Sequence, residues 1–146
     1  MDWTQLHLAL NHIPVIGFPV LLLLLAVGWF RKSEEMQRVL LWSIACLSVA
    51  AIAIKFTGDF AAEQSPEKFA EVKTIVSQHE QAADQATTAV FLLGLGAGLG
   101  LFLARRRKEI LPWTLALVLF FGIVTILLYA RTAHNGGQIS HPELRG

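Results

Sequence analysis

The chain has 146 residues but only one cysteine and one tyrosine, and just 16% of its residues are charged. A lone cysteine, Cys46, cannot close an intramolecular disulfide, and it excludes both paired-cysteine metal motifs and the Cys-x-x-Cys-His attachment signature of covalently bound haem. Lying inside an apolar run, it reads as a packing residue. There is no nucleophile elbow and no phosphate loop. The one glycine cluster, GLGAGLG at residues 94–100, lacks the spacing of a dinucleotide fingerprint and follows no strand. Its Gly94–Gly98 and Gly96–Gly100 pairs instead predict small-residue faces at which helices approach closely. With a net charge of +1 and one basic run, RRRK at 105–108, the chain has no nucleic-acid patch. That run borders an apolar stretch and acts as a topology signal.

What the chain has in excess is apolar sequence: 54% of residues are hydrophobic and the mean hydropathy is +0.53, outside the range of ordinary soluble domains. Four runs, about 6–30, 39–56, 82–103 and 110–129, approach or exceed the ~20 helical residues that cross a ~30 Å hydrocarbon core. The expected fold is all-α, an integral membrane up-down four-helix bundle forming one domain over 1–146. No basic stretch precedes the first run, and Arg31 and Lys32 follow it where a cleavable signal would have small residues, so it is expected to stay as a span. Ser65, Pro66 and Glu67 combine a cap, a first-turn proline and an acid at the positive end of the helix dipole, predicting an outer amphipathic helix over 66–81. A polar tail occupies 132–146.

Orientation follows from basic residues. The turns around Arg31, Lys32 and Arg38 and around Arg105–Lys108 hold seven of the twelve lysines and arginines, and such turns stay cytoplasmic. The opposite face carries five basic residues against eight acidic ones. Both termini are therefore expected on the outer, periplasmic side of a bacterial inner membrane.

All five histidines then fall on that outer side: His7 and His12 at the start of the first run, His79 before the third, His134 and His141 after the fourth. Polar groups at membrane depth are costly and face a cavity or a partner. Asp2 and Gln5 have capping-box spacing, so His7 and Asn11 share one helical face. Pro14 and Pro19 free the carbonyls of Leu10 and Val15 and predict a kink beside the histidines. His79 sits in a stripe of Phe69, Val72, Val76, Ala83, Ala86 and Val90 at alternating spacings of three and four, flanked by Glu80 and Asp84. Gly136 and Gly137 permit a turn that brings His141 and Glu143 back over the outer mouth towards His134.

The combination LNHIPVIG, TG followed by an Ala-Glu pair, HEQAA and GGQISHPE resembles an uncharacterised family of small four-span bacterial membrane proteins, distantly like predicted membrane domains joined to cytochrome c modules. The likeness spans nearly the whole chain. The chain departs from it where GDFAAE stands for an expected Gly-Glu-Pro-Ala-Glu, and where Ser140 replaces an arginine before His-Pro-Glu. The resemblance implies a fold and a recurring set of outer-face histidines.

Three functions fit these residues. The first is electron transfer by b-type haem held between imidazoles, with His12 and His79 as the leading pair, His7 and His134 as further candidates, Asn11 and Glu80 orienting the rings, and Ala82, Ala83 and Ala86 leaving room for the macrocycle. The second is a copper, zinc or iron ion held by His7, His12, His79, His134 or His141 with Glu63, Glu80 or Glu143. The third is an accessory subunit of a larger respiratory membrane complex, its histidines serving as hydrogen-bonding groups. Besides the lipid bilayer, the partners these readings imply are other respiratory-chain subunits or a periplasmic cytochrome. A redox carrier or subunit is expected rather than a stand-alone enzyme.

Overall fold

The computed structural model describes residues 2–64, 72–141 and 143, with the backbone alone at Ser140. The described residues are helical almost throughout, in five elements: α1 (Trp3–Leu10), α2 (His12–Phe30), α3 (Glu34–Gln64), α4 (Lys73–Arg107) and α5 (Pro112–Ser140). Four stretches are long and apolar enough to cross a membrane, because α1 and α2 together make the first, Trp3–Phe30. Each helix packs on the next, and α2 also meets α5, which closes a four-membered ring. The outside of the ring is apolar: Leu23, Phe30, Val49, Phe120, Ile123 and Leu127 are all more than half exposed, as lipid-facing side chains are.

Local chemistry sets the helix ends. The Asp2 carboxylate accepts from the Thr4 and Gln5 N–H groups (3.0 and 3.4 Å), capping α1 as its spacing predicted. Pro14 has no N–H for the Leu10 carbonyl, and helical structure is interrupted at Asn11, between His7 and His12. Pro19, in contrast, lies inside α2 without ending it. The turn after α2 has Lys32 at φ 52°, with Ser33 N–H reaching Gly28 O and Lys32 N–H reaching Trp29 O, both at 3.0 Å. This is the Schellman pattern with lysine where glycine is usual. Lys108 takes the same left-handed conformation after α4.

Between helices immersed in lipid there is little hydrophobic drive, so close contact of small residues carries the packing. Helix α4 supplies most of it, burying Ala82, Ala86, Ala89, Gly96, Ala97, Gly100 and Ala104. A methyl group on Gly96 would meet Val118 at 3.5 Å, one on Gly100 would meet Thr114 at 3.4 Å, and one on Gly94 would meet Ser48 at 2.9 Å. Gly98 faces open space, so one of the four glycines read as packing sites is not one. Phe18, Leu25, Leu41, Ile44, Leu93, Leu115 and Val118 fill the centre. The buried hydroxyls of Ser48, Thr114 and Thr125 are satisfied by carbonyls of their own helices or flanking turn, at 2.7–2.8 Å.

Three expectations need correction. Residues 73–81 are the first turns of α4, continuous with the third span rather than a separate outer helix; the predicted start at Ser65–Glu67, with Phe69, lies outside the described residues. Gly136 and Gly137 do not turn the chain, since α5 runs through them to Ser140. Cys46 is exposed on the side of α3 rather than packed in the core.

Candidate functional site

At the end of the bundle where α3 stops and α4 begins, the helices do not close on one another. They leave a cavity of about 420 Å³ to which every helix contributes, within the ~300–1,000 Å³ of pockets that hold organic ligands. Four of the five histidines line it: His7 from α1, His12 from α2, His79 from α4, and His141 just beyond α5. Much of the remaining wall is small or apolar, including Ala51, Ala61, Ala62, Ala83, Ile54, Val76, Gly136 and Gly137.

The four rings share one hydrogen-bonding habit. His79 Nδ1 lies 2.9 Å from Thr132 O on α5, and His12 Nδ1 lies 3.0 Å from Leu8 O one turn back. His7 Nδ1 is 3.0 Å from Thr57 Oγ1 and 3.3 Å from Ile54 O. The Thr57 hydroxyl itself donates to Ile54 O at 2.6 Å, so it accepts from the imidazole. His141 Nδ1 is 3.0 Å from a Glu143 carboxylate oxygen. Carbonyls and carboxylates only accept, so Nδ1 is the protonated nitrogen in all four. In the neutral form of each ring the Nε2 lone pair is then left over, and no hydrogen bond among the described residues engages it. An imidazole fixed through one nitrogen, with the other nitrogen available, is the usual state of a ligating histidine.

Two glycines seat two of these rings. A methyl group on Gly58 of α3 would lie 2.9 Å from the His7 ring, and one on Gly136 of α5 would lie 3.2 Å from the His79 ring. Each seat adjoins a partner of the same ring: Thr57 precedes Gly58, and Thr132 is one turn before Gly136. Asn135, buried on α5, adds a bond from its amide to Gln78 O at 3.2 Å, which fixes the start of α4 beside His79. His7 and His79 are both partly buried. His12 is the more exposed ring.

Two further features mark the cavity as polar at its edge. Asn11, where α1 and α2 part, lines it with a buried side-chain oxygen that has no hydrogen-bond partner among the described residues. Lys55 bridges α3 and α4, its ammonium 2.8 Å from Asp59 and 3.0 Å from Asp84. Charges at membrane depth survive by such pairing.

The sequence-nominated residues therefore divide. His7, Asn11, His12, His79, Glu80 and His141 share the cavity wall. His134 is exposed and outside it, with Nε2 3.4 Å from the Gln138 amide. Glu63 is also exposed and outside it, and Glu143 is outside the cavity wall but bonded to His141. Of the three alanines expected to make room, Ala83 lines the cavity, whereas Ala82 and Ala86 are buried in helix contacts. No group of three or more His, Cys, Asp or Glu side chains converges as a metal cage among the described residues. Sequence reading missed Thr57, Gly58, Lys55, Asp59, Thr132 and Asn135. The TG pair at 57–58 and the i, i+4 spacing of Lys55 and Asp59 were the available signals; nothing local singles out Thr132, whose contribution is a backbone carbonyl.

Neither a family model, nor a curated protein, nor a solved structure matches the chain.

Proposed function

We propose that the protein is a membrane electron carrier that holds a b-type haem between imidazoles of its outer-face cavity. The observation that carries this reading is the shared state of the four cavity histidines, each tied through Nδ1 to an oxygen and retaining an Nε2 lone pair. Haem would need only two such nitrogens from different helices, whereas an isolated ion is usually held by three or more donors, and no such group is preassembled among the described residues. His79 on α4 and His7 on α1 are the pair best prepared, because each is part-buried, glycine-seated and fixed from a neighbouring helix. The small and apolar wall suits a flat macrocycle. When bound, haem would supply one-electron exchange at its iron. His7 and His79 would hold the group through Nε2, the His7 ring oriented through Nδ1 by the Thr57 hydroxyl and the His79 ring by the Thr132 carbonyl.

The same proposal places the chain in a bacterial inner membrane as an up-down bundle, with both termini and the cavity facing the periplasm, on the strength of the basic turns. In a Cys46→Ser background, a cysteine at Gln64 should react with an impermeant maleimide added to whole cells, and one at Glu35 should not. The opposite labelling would reverse the orientation.

The haem reading is tested by titrating the purified protein with haemin and following the Soret band. Unaltered protein should bind one equivalent as low-spin, six-coordinate iron. His7→Ala and His79→Ala should lose that species, His12→Ala and His141→Ala should weaken binding, and His134→Ala should leave it unchanged. If His12→Ala rather than His7→Ala empties the site, the pair is His12 and His79 and the site stands. If no histidine variant alters binding, the site reading falls. Stoichiometric copper, zinc or iron in a colourless preparation would favour an ion site, and a colourless, metal-free protein would favour an accessory subunit.

A further inference from the structure

A second cavity, of about 210 Å³, lies at the opposite end of the bundle between α3 and α4, lined by Arg38, Trp42, Leu101 and Arg105. Its geometry is set by two i, i+4 pairs. Arg38 and Trp42 stand one turn apart near the start of α3, and Leu101 and Arg105 stand one turn apart near the end of α4, so each helix contributes one guanidinium at the rim and one apolar side chain a turn further in. Trp42 is 62% exposed on an outer surface that continues through exposed Val39 and Phe102. Among the described residues Arg38 has a single ion pair, with Glu34 at 3.4 Å, and Arg105 has none. A cleft between membrane helices with two arginines at its mouth and a tryptophan with aliphatic surface beneath matches a phosphate headgroup above an acyl chain. Guanidinium groups bind phosphate through paired N–H donors, tryptophan favours the headgroup level, and basic pockets between spans on the cytoplasmic side hold anionic lipids.

We infer that this cleft is a binding site for an anionic phospholipid, its phosphodiester held by Arg38 and Arg105 and its chain lying along Trp42 and Leu101. The site is independent of the haem reading, since it shares no residue with the histidine cavity. Native mass spectrometry of the detergent-solubilised protein with equimolar dioleoyl phosphatidylglycerol and phosphatidylcholine should show the first bound lipid to be predominantly phosphatidylglycerol. Arg38→Gln and Arg105→Gln should each reduce that preference about fivefold, as ~1 kcal/mol per basic group implies. The control Arg106→Gln/Arg107→Gln, which removes twice the charge of either single variant from the adjoining turn, should reduce it much less. A second readout keeps all arginines: with Trp3, Trp29 and Trp113 changed to Phe, brominated phosphatidylglycerol should quench Trp42 more strongly than brominated phosphatidylcholine. Equal retention and quenching by the two lipids would overturn the proposal. So would a preference that the control pair reduces as much as Arg38→Gln and Arg105→Gln do, or one that excess inorganic phosphate abolishes, which would assign the arginines to free phosphate.

Discussion

At the basic end of the bundle, Gly96 and Gly100 bring α4 against Val118, Thr114 and Leu41. At the histidine end, Gly58 and Gly136 bring helices not against one another but against the edges of two imidazoles. The same residue type closes one end and opens the other, and what differs is the partner. Aliphatic side chains and a hydroxyl satisfied within its own helix and turn, as at Thr114, allow a dry, close contact. Histidine rings need a seat for their width and an acceptor for Nδ1, and once both are provided the second ring nitrogen stays unspent. Cavity formation at the histidine end is thus tied to the polar residues placed there. Burying their unsatisfied groups in a closed apolar core would cost about 1–3 kcal/mol each.

This contrast can be broken by substitutions that act on one end only. The largest effect is expected from Gly96→Leu, which forces a side chain between α4 and α5. Overpacking of this kind costs typically ~1–3 kcal/mol, so the detergent-solubilised protein should unfold at clearly lower temperature while haemin affinity of the folded fraction stays within about twofold. Loss of haemin binding without loss of stability would show that the two ends are not separate. Next comes Gly58→Ala, whose new methyl would lie 2.9 Å from the His7 ring. It should weaken haemin binding about tenfold, equivalent to ~1.4 kcal/mol, with little change in unfolding temperature. Gly98→Ala, where nothing lies within 4 Å, should change neither quantity, and an equal response at both positions would remove the argument for a glycine seat.

The smallest effect is expected at Asn11. Its buried oxygen, without a hydrogen-bond partner among the described residues, is a cost in the ligand-free protein. Asn11→Leu should therefore raise the unfolding temperature without haemin by a degree or more and leave the additional stabilisation from haemin unchanged, because haem has no N–H or O–H to donate to this oxygen. A fall in ligand-free stability would mean that the oxygen already has a partner, and the inference from it would fail.

The four spans were legible because they are properties of runs: apolar length is read without knowing any contact. The inward stripe through Val72, His79, Ala86 and Val90 was legible for the same reason, since helical periodicity places those residues on one face. The site was half legible. Imidazoles in apolar surroundings announce themselves, which is how His7, His12, His79 and His141 were nominated, together with His134, which the fold leaves outside. Their partners did not announce themselves. The Ile54, Leu8 and Thr132 contacts use backbone carbonyls that any residue carries, and Gly58 and Gly136 matter only for the ring that another helix brings across. Gly136 and Gly137 illustrate the ambiguity: the freedom that permits a turn in solvent permits close approach inside a bundle, and only the neighbour decides between them.

The most direct test of the cofactor reading is the visible spectrum of the protein purified from its membrane in mild detergent, before and after dithionite. The account predicts a Soret band that sharpens and shifts to the red on reduction, with resolved alpha and beta bands of low-spin iron, and a pigment that acidic acetone extracts because no covalent thioether holds it. A spectrum without these bands, from protein that has been loaded with haemin and passed through a desalting column, would contradict it.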